Sequence, residues 1–172
     1  MRILLLTHER ELPKRTNTGR LVLEALGQAA TQIVWRRAAP DPELLRTLKG
    51  GGVALAWPLA TRTEVAPLAA PHAYVVIDGT WKQARKIYTR SPYLHALPTV
   101  ALQPAAPSVY TLRRNQIGGG LCTAEAVASL LLQPHLAQHG GPELSRSITT
   151  RLDAFLSPGG AHCDTESPPS NA

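Results

Sequence analysis

Cysteine is scarce in this chain of 172 residues, which contains only Cys122 and Cys163. The two lie far apart, and no Cys-x-x-Cys pair occurs, so the sequence encodes neither a zinc ribbon nor a disulfide framework. A protein without structural disulfides fits a reducing compartment, and we expect a cytoplasmic location.

Long apolar runs, internal repeats and a phosphate-binding loop are also missing. The apolar run over 3–6 is far too short for a signal or transmembrane segment, so no membrane association is expected. The spacing G-x-x-x-x-G-K of a P-loop does not occur.

Acidic residues are outnumbered, with 12 Asp and Glu against 18 Lys and Arg, for a net charge of +6. Such an excess favours polyanionic partners by electrostatic steering. Hydrophobic residues make up 44% of the chain, which is typical of a folded protein. We expect a single domain over 1–156 and a disordered tail over 157–172, which holds three prolines and two glycines.

Apolar runs alternate with helical patterns along the chain. Strands are predicted over 3–6, 32–35, 53–57, 74–77 and 99–102, with a loop over 7–16, and helices from 18 and over 43–49, 80–89, 123–132 and 142–156. This alternation predicts an α/β fold with a mostly parallel sheet and flanking helices.

The segment over 76–86 is the most informative stretch. A buried strand ends at the carboxylate Asp78, and Gly79, Thr80 and Trp81 then open a helix that carries three cations. Ligands bind at such carboxyl ends of strands in open α/β sheets. A purely structural interpretation is open too, because Thr80 and Gln83 fit a capping box and Trp81 can anchor a core.

Two more loop-to-helix junctions carry polar residues. Asn17, Thr18 and Gly19 precede the first predicted helix, where backbone N–H groups attract anions. Thr123 is a natural N-cap after a glycine run, and Glu125 suits the first turn of the helix it opens. Taken alone, the first junction fits ordinary capping and anion binding equally well, and ordinary capping is the better explanation of the second.

Together the junctions form an ordered set of motifs that resembles the DTW-domain family of tRNA-uridine aminocarboxypropyltransferases. The set comprises Thr16-Asn17-Thr18-Gly19-Arg20-Leu21, Asp78-Gly79-Thr80-Trp81 with Ala84-Arg85-Lys86, Ser91-Pro92-Tyr93-Leu94, Tyr110-Thr111-Leu112-Arg113-Arg114 and Cys122-Thr123-Ala124-Glu125. Many relatives carry a cysteine cluster ahead of the first strand, and this chain lacks it, so we expect no bound metal.

The resemblance implies a SPOUT-like fold, whose C-terminal sheet region forms a trefoil knot that holds S-adenosylmethionine. It implies transfer of the 3-amino-3-carboxypropyl group from that cofactor to N3 of a uridine, with a variable-loop uridine of tRNA as the expected target. The by-product is 5′-methylthioadenosine. The oligomeric state, monomer or dimer, stays open.

Residue roles follow from the resemblance and the chemistry. Uridine N3 must lose a proton to attack, and Asp78 is the expected general base. The expected cofactor-binding residues are Thr18, Asp78, Gly79, Thr80, Trp81, Leu102, Thr123 and Glu125, with Thr18 and Thr123 on the carboxylate. Glu125 either caps its helix or orients the cofactor's ammonium. The expected RNA phosphate contacts are Lys14, Arg15, Arg20, Lys82, Arg85, Lys86, Arg113 and Arg114.

Two alternatives stay open from the sequence. One is a SPOUT-like RNA methyltransferase, which uses the same pocket and presents the methyl carbon of the same cofactor. The other is a non-catalytic RNA-binding module in which Asp78 is only a cap.

Overall fold

A computed structural model describes residues 1–58, 71–102, 108–110 and 120–157. Arg113, Arg114 and the tail from 158 onward therefore lie outside the described residues. The strands are β1 (Arg2–His8), β2 (Ala30–Trp35), β3 (Val53–Pro58), β4 (Ala73–Asp78) and β5 (Thr99–Leu102). The helices are α1 (Gly19–Leu26), α2 (Pro42–Lys49), α3 (Trp81–Thr89), α4 (Thr123–Leu131), α5 (Pro134–Ala137) and α6 (Gly141–Leu156).

The described strands form one parallel sheet in the order β2-β1-β4-β3-β5. The predicted α/β class with a mostly parallel sheet is thus confirmed. The predicted loop over 7–16 is wrong at its start. Thr7 and His8 continue β1, because they pair with Val34 and Trp35 of β2 and Thr7 also pairs with Asp78 of β4.

Helices cover both faces of this sheet, since alternate side chains of each strand point to opposite sides. Ile3 and Leu5 belong to one core, which α1, α4 and α6 cover. Leu4 and Leu6 belong to the other core, which includes Leu44 of α2 and Ile87 of α3. Burial on both sides explains why the central strands read as continuous apolar runs.

Capping side chains define several helix starts. Asp41 accepts a hydrogen bond from Leu44 N at 2.8 Å, and Pro42 occupies the first turn of α2. Thr80 and Gln83 form the predicted capping box of α3, in which Gln83 Oε1 accepts from Thr80 N at 2.6 Å. The short helix α5 lies between two predicted helices and is not predicted by the sequence pattern.

The strand order creates a crevice at one edge of the sheet. From β1 the chain passes through α1 to β2, at one end of the strand order. From β4 it passes through α3 to β5, at the other end. Adjacent parallel strands whose connections diverge leave a cleft at their carboxyl ends, where ligands of open α/β sheets bind. Asp78 ends β4 at this edge.

None of the helices in the described ranges is long and apolar enough to cross a membrane.

Candidate functional site

Asp78 joins three segments that are distant in sequence. Its side chain is 1% exposed. Oδ2 accepts a hydrogen bond from Asn17 Nδ2 at 2.9 Å, and Oδ1 accepts one from Thr123 Oγ1 at 2.7 Å. A buried carboxylate needs such donors, because water no longer solvates it. The loop before α1, the end of β4 and the start of α4 therefore meet at one carboxylate.

Gly19 is packed tightly against this junction. Its backbone N–H donates to Asn17 Oδ1 at 2.6 Å, which fixes the orientation of the asparagine amide. A Cβ atom built on Gly19 would lie 2.6 Å from Asp78 Oδ2 and 2.9 Å from Asn17 Oδ1. A side chain at position 19 would displace both groups, so the close approach of α1 to Asp78 depends on glycine.

The two threonines expected to bind the cofactor carboxylate lie at adjacent helix starts. Thr18 occupies the N-cap position of α1, but its hydroxyl makes no capping bond to that helix. Instead, Thr18 Oγ1 accepts from the backbone N–H of Ala124, in α4, at 3.3 Å. The structure therefore brings Thr18 and Thr123 together across more than a hundred residues of chain, as the composite site requires.

The prediction that Thr123 is the N-cap of α4 is wrong. Cys122 holds that position, and Thr123 is the first helical residue. Because Thr123 lies one residue inside the helix, its hydroxyl is directed to Asp78 instead of a backbone N–H of its own helix.

Glu125 caps α4 and holds a neighbouring segment. One of its oxygens accepts from Cys122 N at 2.7 Å, and the other accepts from Val109 N at 2.7 Å. Ser108 Oγ lies 2.7 and 2.9 Å from the two oxygens. The capping role expected for Glu125 is thus present, while contact with a cofactor ammonium stays a prediction.

Two buried titratable side chains lie beside the junction. Burial raises the pKa of the Cys122 thiol to about 12, so the thiol stays protonated at neutral pH. Burial, followed by the nearby Lys86 charge, lowers the pKa of His8 at the end of β1. Both shifts favour the uncharged form of the group.

An open pocket of about 640 Å³, counted with the space at its mouth, lies where β3, β4 and β5 end. Its lining comprises Ala56, Trp57, Val76, Ile77, Gly79, Trp81, Ala84, Leu102, Leu121, Cys122, Thr123 and Ala126. Four predicted cofactor-binding residues are in this lining, namely Gly79, Trp81, Leu102 and Thr123. The other four, Thr18, Asp78, Thr80 and Glu125, are outside it and make the hydrogen bonds described above.

This pocket suits a ligand with a flat ring and an apolar chain. Its lining is mostly apolar, and two tryptophans border it, which is typical of small-molecule sites with few polar groups. The polar groups are concentrated on one side, where Thr123 and Cys122 belong to the start of α4. The residues therefore fit S-adenosylmethionine, which has an adenine ring, an aliphatic chain and a charged amino-acid end.

Three residues of this region have roles beyond those predicted from the sequence. Asn17 is predicted at the anion-attracting junction before α1, and in the structure its amide also donates a hydrogen bond to Asp78. Trp57 borders the pocket from the end of β3. This position could have been predicted, because ligands of open α/β sheets bind at the carboxyl ends of strands. Tyr110, 1% exposed, donates from its hydroxyl to Thr16 O at 2.7 Å and so ties the segment over 108–110 to the loop before α1.

The predicted RNA-contacting cations divide into two groups. Lys82, Arg85 and Lys86 are all exposed on α3. On the loop before α1 and its first turn, Lys14 pairs with Glu11 at 2.6 Å, and Arg20 lies over the ring of Phe155 at 5.0 Å. Arg15 is exposed. The cations of α3 therefore lie on the helix whose first residue, Trp81, lines the pocket.

Comparison with known proteins identifies a matching domain family and a similar protein. The DTW domain model matches residues 1–158. A Drosophila melanogaster protein, tRNA-uridine aminocarboxypropyltransferase 2, is 38% identical over 89 residues, which is 52% of this chain and 34% of that relative. The chain thus spans about a third of the length of this relative. No solved structure matches the chain.

Proposed function

Because the chain belongs to the DTW-domain family, we propose that it is a tRNA-modifying transferase. Its reaction moves the 3-amino-3-carboxypropyl group of S-adenosylmethionine to N3 of a uridine in tRNA and releases 5′-methylthioadenosine. The name of the Drosophila relative supports this activity. The observation that carries the proposal is the pocket with two tryptophans beside the junction of Asp78, Thr18 and Thr123.

Binding of the cofactor is assigned to the pocket and the adjoining helix starts. Trp81 and the end of β5 at Leu102 border the pocket and receive the adenosine part. Thr18 and Thr123 hold the carboxylate, with Gly79 and Thr80 forming the nearby turn. When bound, S-adenosylmethionine supplies a sulfonium with three electrophilic carbons, and the carbon held in line with the nucleophile determines the product.

Asp78 is proposed to accept the proton of uridine N3 as the general base. A hydroxyl carries one proton and can donate to one acceptor at a time, and Thr123 Oγ1 now donates to Asp78 Oδ1 at 2.7 Å. If Thr123 turns to a ligand carboxylate, Oδ1 of Asp78 loses that donor and becomes available to accept a proton. Asn17 still holds Oδ2 at 2.9 Å, so the carboxylate stays oriented.

The remaining features of the proposal come from the family for the fold and from the sequence of this chain for the domain bounds, the location and the absence of a metal. The fold is SPOUT-like with a trefoil knot, the domain spans 1–156, and the protein works in the cytoplasm without a metal. Phosphates of the tRNA meet the exposed cations of α3.

The non-catalytic RNA-binding module is the second candidate, and one observation favours it. Both oxygens of Asp78 already accept hydrogen bonds, and the side chain is 1% exposed, as expected for a purely structural carboxylate. Such a module needs no cofactor, so calorimetric binding of S-adenosylmethionine argues against it.

Nucleoside mass spectrometry separates the candidates. We expect tRNA from cells that contain the protein to carry a modified uridine whose mass is increased by that of the aminocarboxypropyl group. We expect tRNA from cells without the protein to lack that nucleoside. An added methyl mass in its place would indicate a methyltransferase. Identical tRNA nucleosides in both cells would contradict a role in tRNA modification.

A further inference from the structure

Three aromatic side chains form a continuous row that runs from the pocket to the surface. Trp57 borders the pocket, and its ring centroid lies 4.8 Å from that of Tyr88 on α3. The Tyr88 centroid in turn lies 4.7 Å from that of His95, which is exposed. The row therefore has one end at the proposed site of reaction and the other end at the solvent.

The outer ring of this row is held in place. His95 Nε2 lies 2.8 Å from the backbone oxygen of Tyr88, and because a carbonyl oxygen only accepts, Nε2 carries the hydrogen. The short turn over Pro92–Leu94, just before His95, is fixed by Ser91, which accepts a hydrogen bond from Trp35 Nε1 at 2.9 Å. An exposed ring that is fixed in this way loses little entropy when a flat ligand stacks on it.

Positive charge lies beside the row. Arg85 precedes Tyr88 by three residues on α3, so their side chains are neighbours on the helix surface. Lys82, Arg85 and Lys86 take part in none of the ion pairs found among the described residues. A row of rings next to unneutralised cations is the combination that binds single-stranded nucleic acid, because bases stack on the rings and phosphates pair with the cations.

We propose that His95, supported by Tyr88 and Trp57, is a stacking platform for an unpaired base of the tRNA that flanks the target uridine. The platform rests on the proposed function, because it assigns a place to the strand whose uridine enters the pocket. The partner is single-stranded RNA, since the row is aromatic and its neighbours are cationic. Base stacking on His95 then helps to hold the strand while the target base is turned into the pocket.

Fluorescence anisotropy with an unmodified tRNA transcript tests this platform. His95→Ala removes the ring and is expected to weaken binding about tenfold, within the range for loss of one base–aromatic stack. His95→Phe keeps a flat ring without charge and is expected to stay within about threefold of the wild type. His139→Ala, an exposed histidine in the turn before α6, is the matched control and should bind like the wild type.

Salt dependence distinguishes stacking from charge. His95→Ala should leave the slope of log affinity against log salt unchanged, because no phosphate contact is lost. Equal affinities for His95→Ala and His139→Ala would overturn the platform, as would a His95→Phe variant as weak as His95→Ala. Wild-type protein that binds no tRNA would overturn it as well.

The platform and the transferase activity can fail separately. If the wild type transfers the group and His95→Ala binds tRNA normally, the platform is wrong and the proposed function stands. If the wild type shows no transfer and the ring at position 95 still governs RNA affinity, His95 is a stacking site for RNA and the transferase is wrong.

Discussion

Asp78 has a structural task that is observed and a catalytic task that is proposed, and the two compete for the same oxygen atoms. As a structural group it accepts hydrogen bonds from Asn17 and Thr123, which hold two helix starts against the end of β4. As a general base it must offer an oxygen to the proton of uridine N3. The competition is resolved if Thr123 changes its acceptor when the cofactor binds, and substitutions at and around Asp78 can separate the two tasks.

Asp78→Asn is expected to keep affinity for S-adenosylmethionine and to lose about 10²–10⁴-fold in the rate of transfer, because an amide cannot act as the base. Single-turnover kinetics and calorimetry on the same preparations measure both quantities. Asn17→Ala is the control, since it removes one hydrogen bond from Asp78 and keeps the carboxylate. Equal rate losses in the two variants, or an Asp78→Asn rate within about threefold of the wild type, would remove Asp78 from the role of base.

Gly19→Ala is expected to destabilise the protein by about 1–3 kcal/mol, because the new methyl group would lie 2.6 Å from Asp78 Oδ2. Gly50→Ala is the matched control at the end of α2. Its Cβ would be 3.4 Å from Thr47 O, and its φ of −65° suits alanine, so a change below about 1 kcal/mol is expected. Urea unfolding measures both free energies. Equal free energies of unfolding for Gly19→Ala and Gly50→Ala would mean that the groups around Asp78 can move apart without loss of stability.

At the scale of elements, the site is a meeting of helix starts at one edge of a parallel sheet. α1, α3 and α4 all begin near the end of β4, and the partial positive charge at the start of a helix favours anions. Thr18 and Thr123 belong to two of these starts, and the cations belong to α3. Binding of the cofactor carboxylate and binding of RNA phosphates are therefore assigned to different helices and can be tested separately.

A double-mutant cycle tests whether α1 and α4 hold one group. If Thr18 and Thr123 grip the same carboxylate, Thr18→Ala and Thr123→Ala should be non-additive in their effect on S-adenosylmethionine affinity, with a coupling of about 0.5–3 kcal/mol. Both should matter much less for 5′-methylthioadenosine, which lacks the carboxylate. Calorimetry with both ligands gives the four affinities of each cycle. Equal losses for the two ligands would show that the threonines only support the fold.

Removal of the three cations of α3 should weaken tRNA binding and flatten its salt dependence. Each lost phosphate contact lowers the slope of log affinity against log salt by about 0.7–0.9, so Lys82→Ala, Arg85→Ala and Lys86→Ala together should lower it by about 2–3. Affinity for S-adenosylmethionine should change little.

Arg146→Ala with Arg151→Ala is the control for this charge removal, because both side chains are exposed on α6, which covers the other face of the sheet. An unchanged slope in the α3 variant, or an equal change in the α6 variant, would place the RNA elsewhere.

At the scale of the whole molecule, the sequence predicts the elements and the parallel sheet but not the order of the strands. The five strands of the described residues and the longer helices follow from apolar periodicity and from capping residues such as Asp41 and Thr80. The strand order β2-β1-β4-β3-β5 does not follow, because neighbouring strands are not successive in the chain. The family resemblance supplied the expectation of a knot, which periodicity cannot indicate.

The candidate site could be predicted only in part, because local patterns identify single residues and not the contacts between distant segments. Asp78, Thr18 and Thr123 were identified from local patterns at helix starts, and the structure brings them together. Their hydrogen bonds could not be predicted, because each depends on contacts between segments far apart in sequence. Thr123 was placed wrongly as an N-cap, since cysteine is not a preferred capping residue and nothing local indicated that Cys122 takes that position.

Isotope transfer by the purified protein tests the central proposal most directly. Unmodified tRNA is incubated with S-adenosylmethionine labelled either in the carboxyl carbon or in the methyl carbon, and the label in the washed tRNA is counted. The proposed transferase predicts that the carboxyl label enters tRNA and the methyl label leaves with 5′-methylthioadenosine. Methyl label in the tRNA without carboxyl label would contradict it and show a methyltransferase instead.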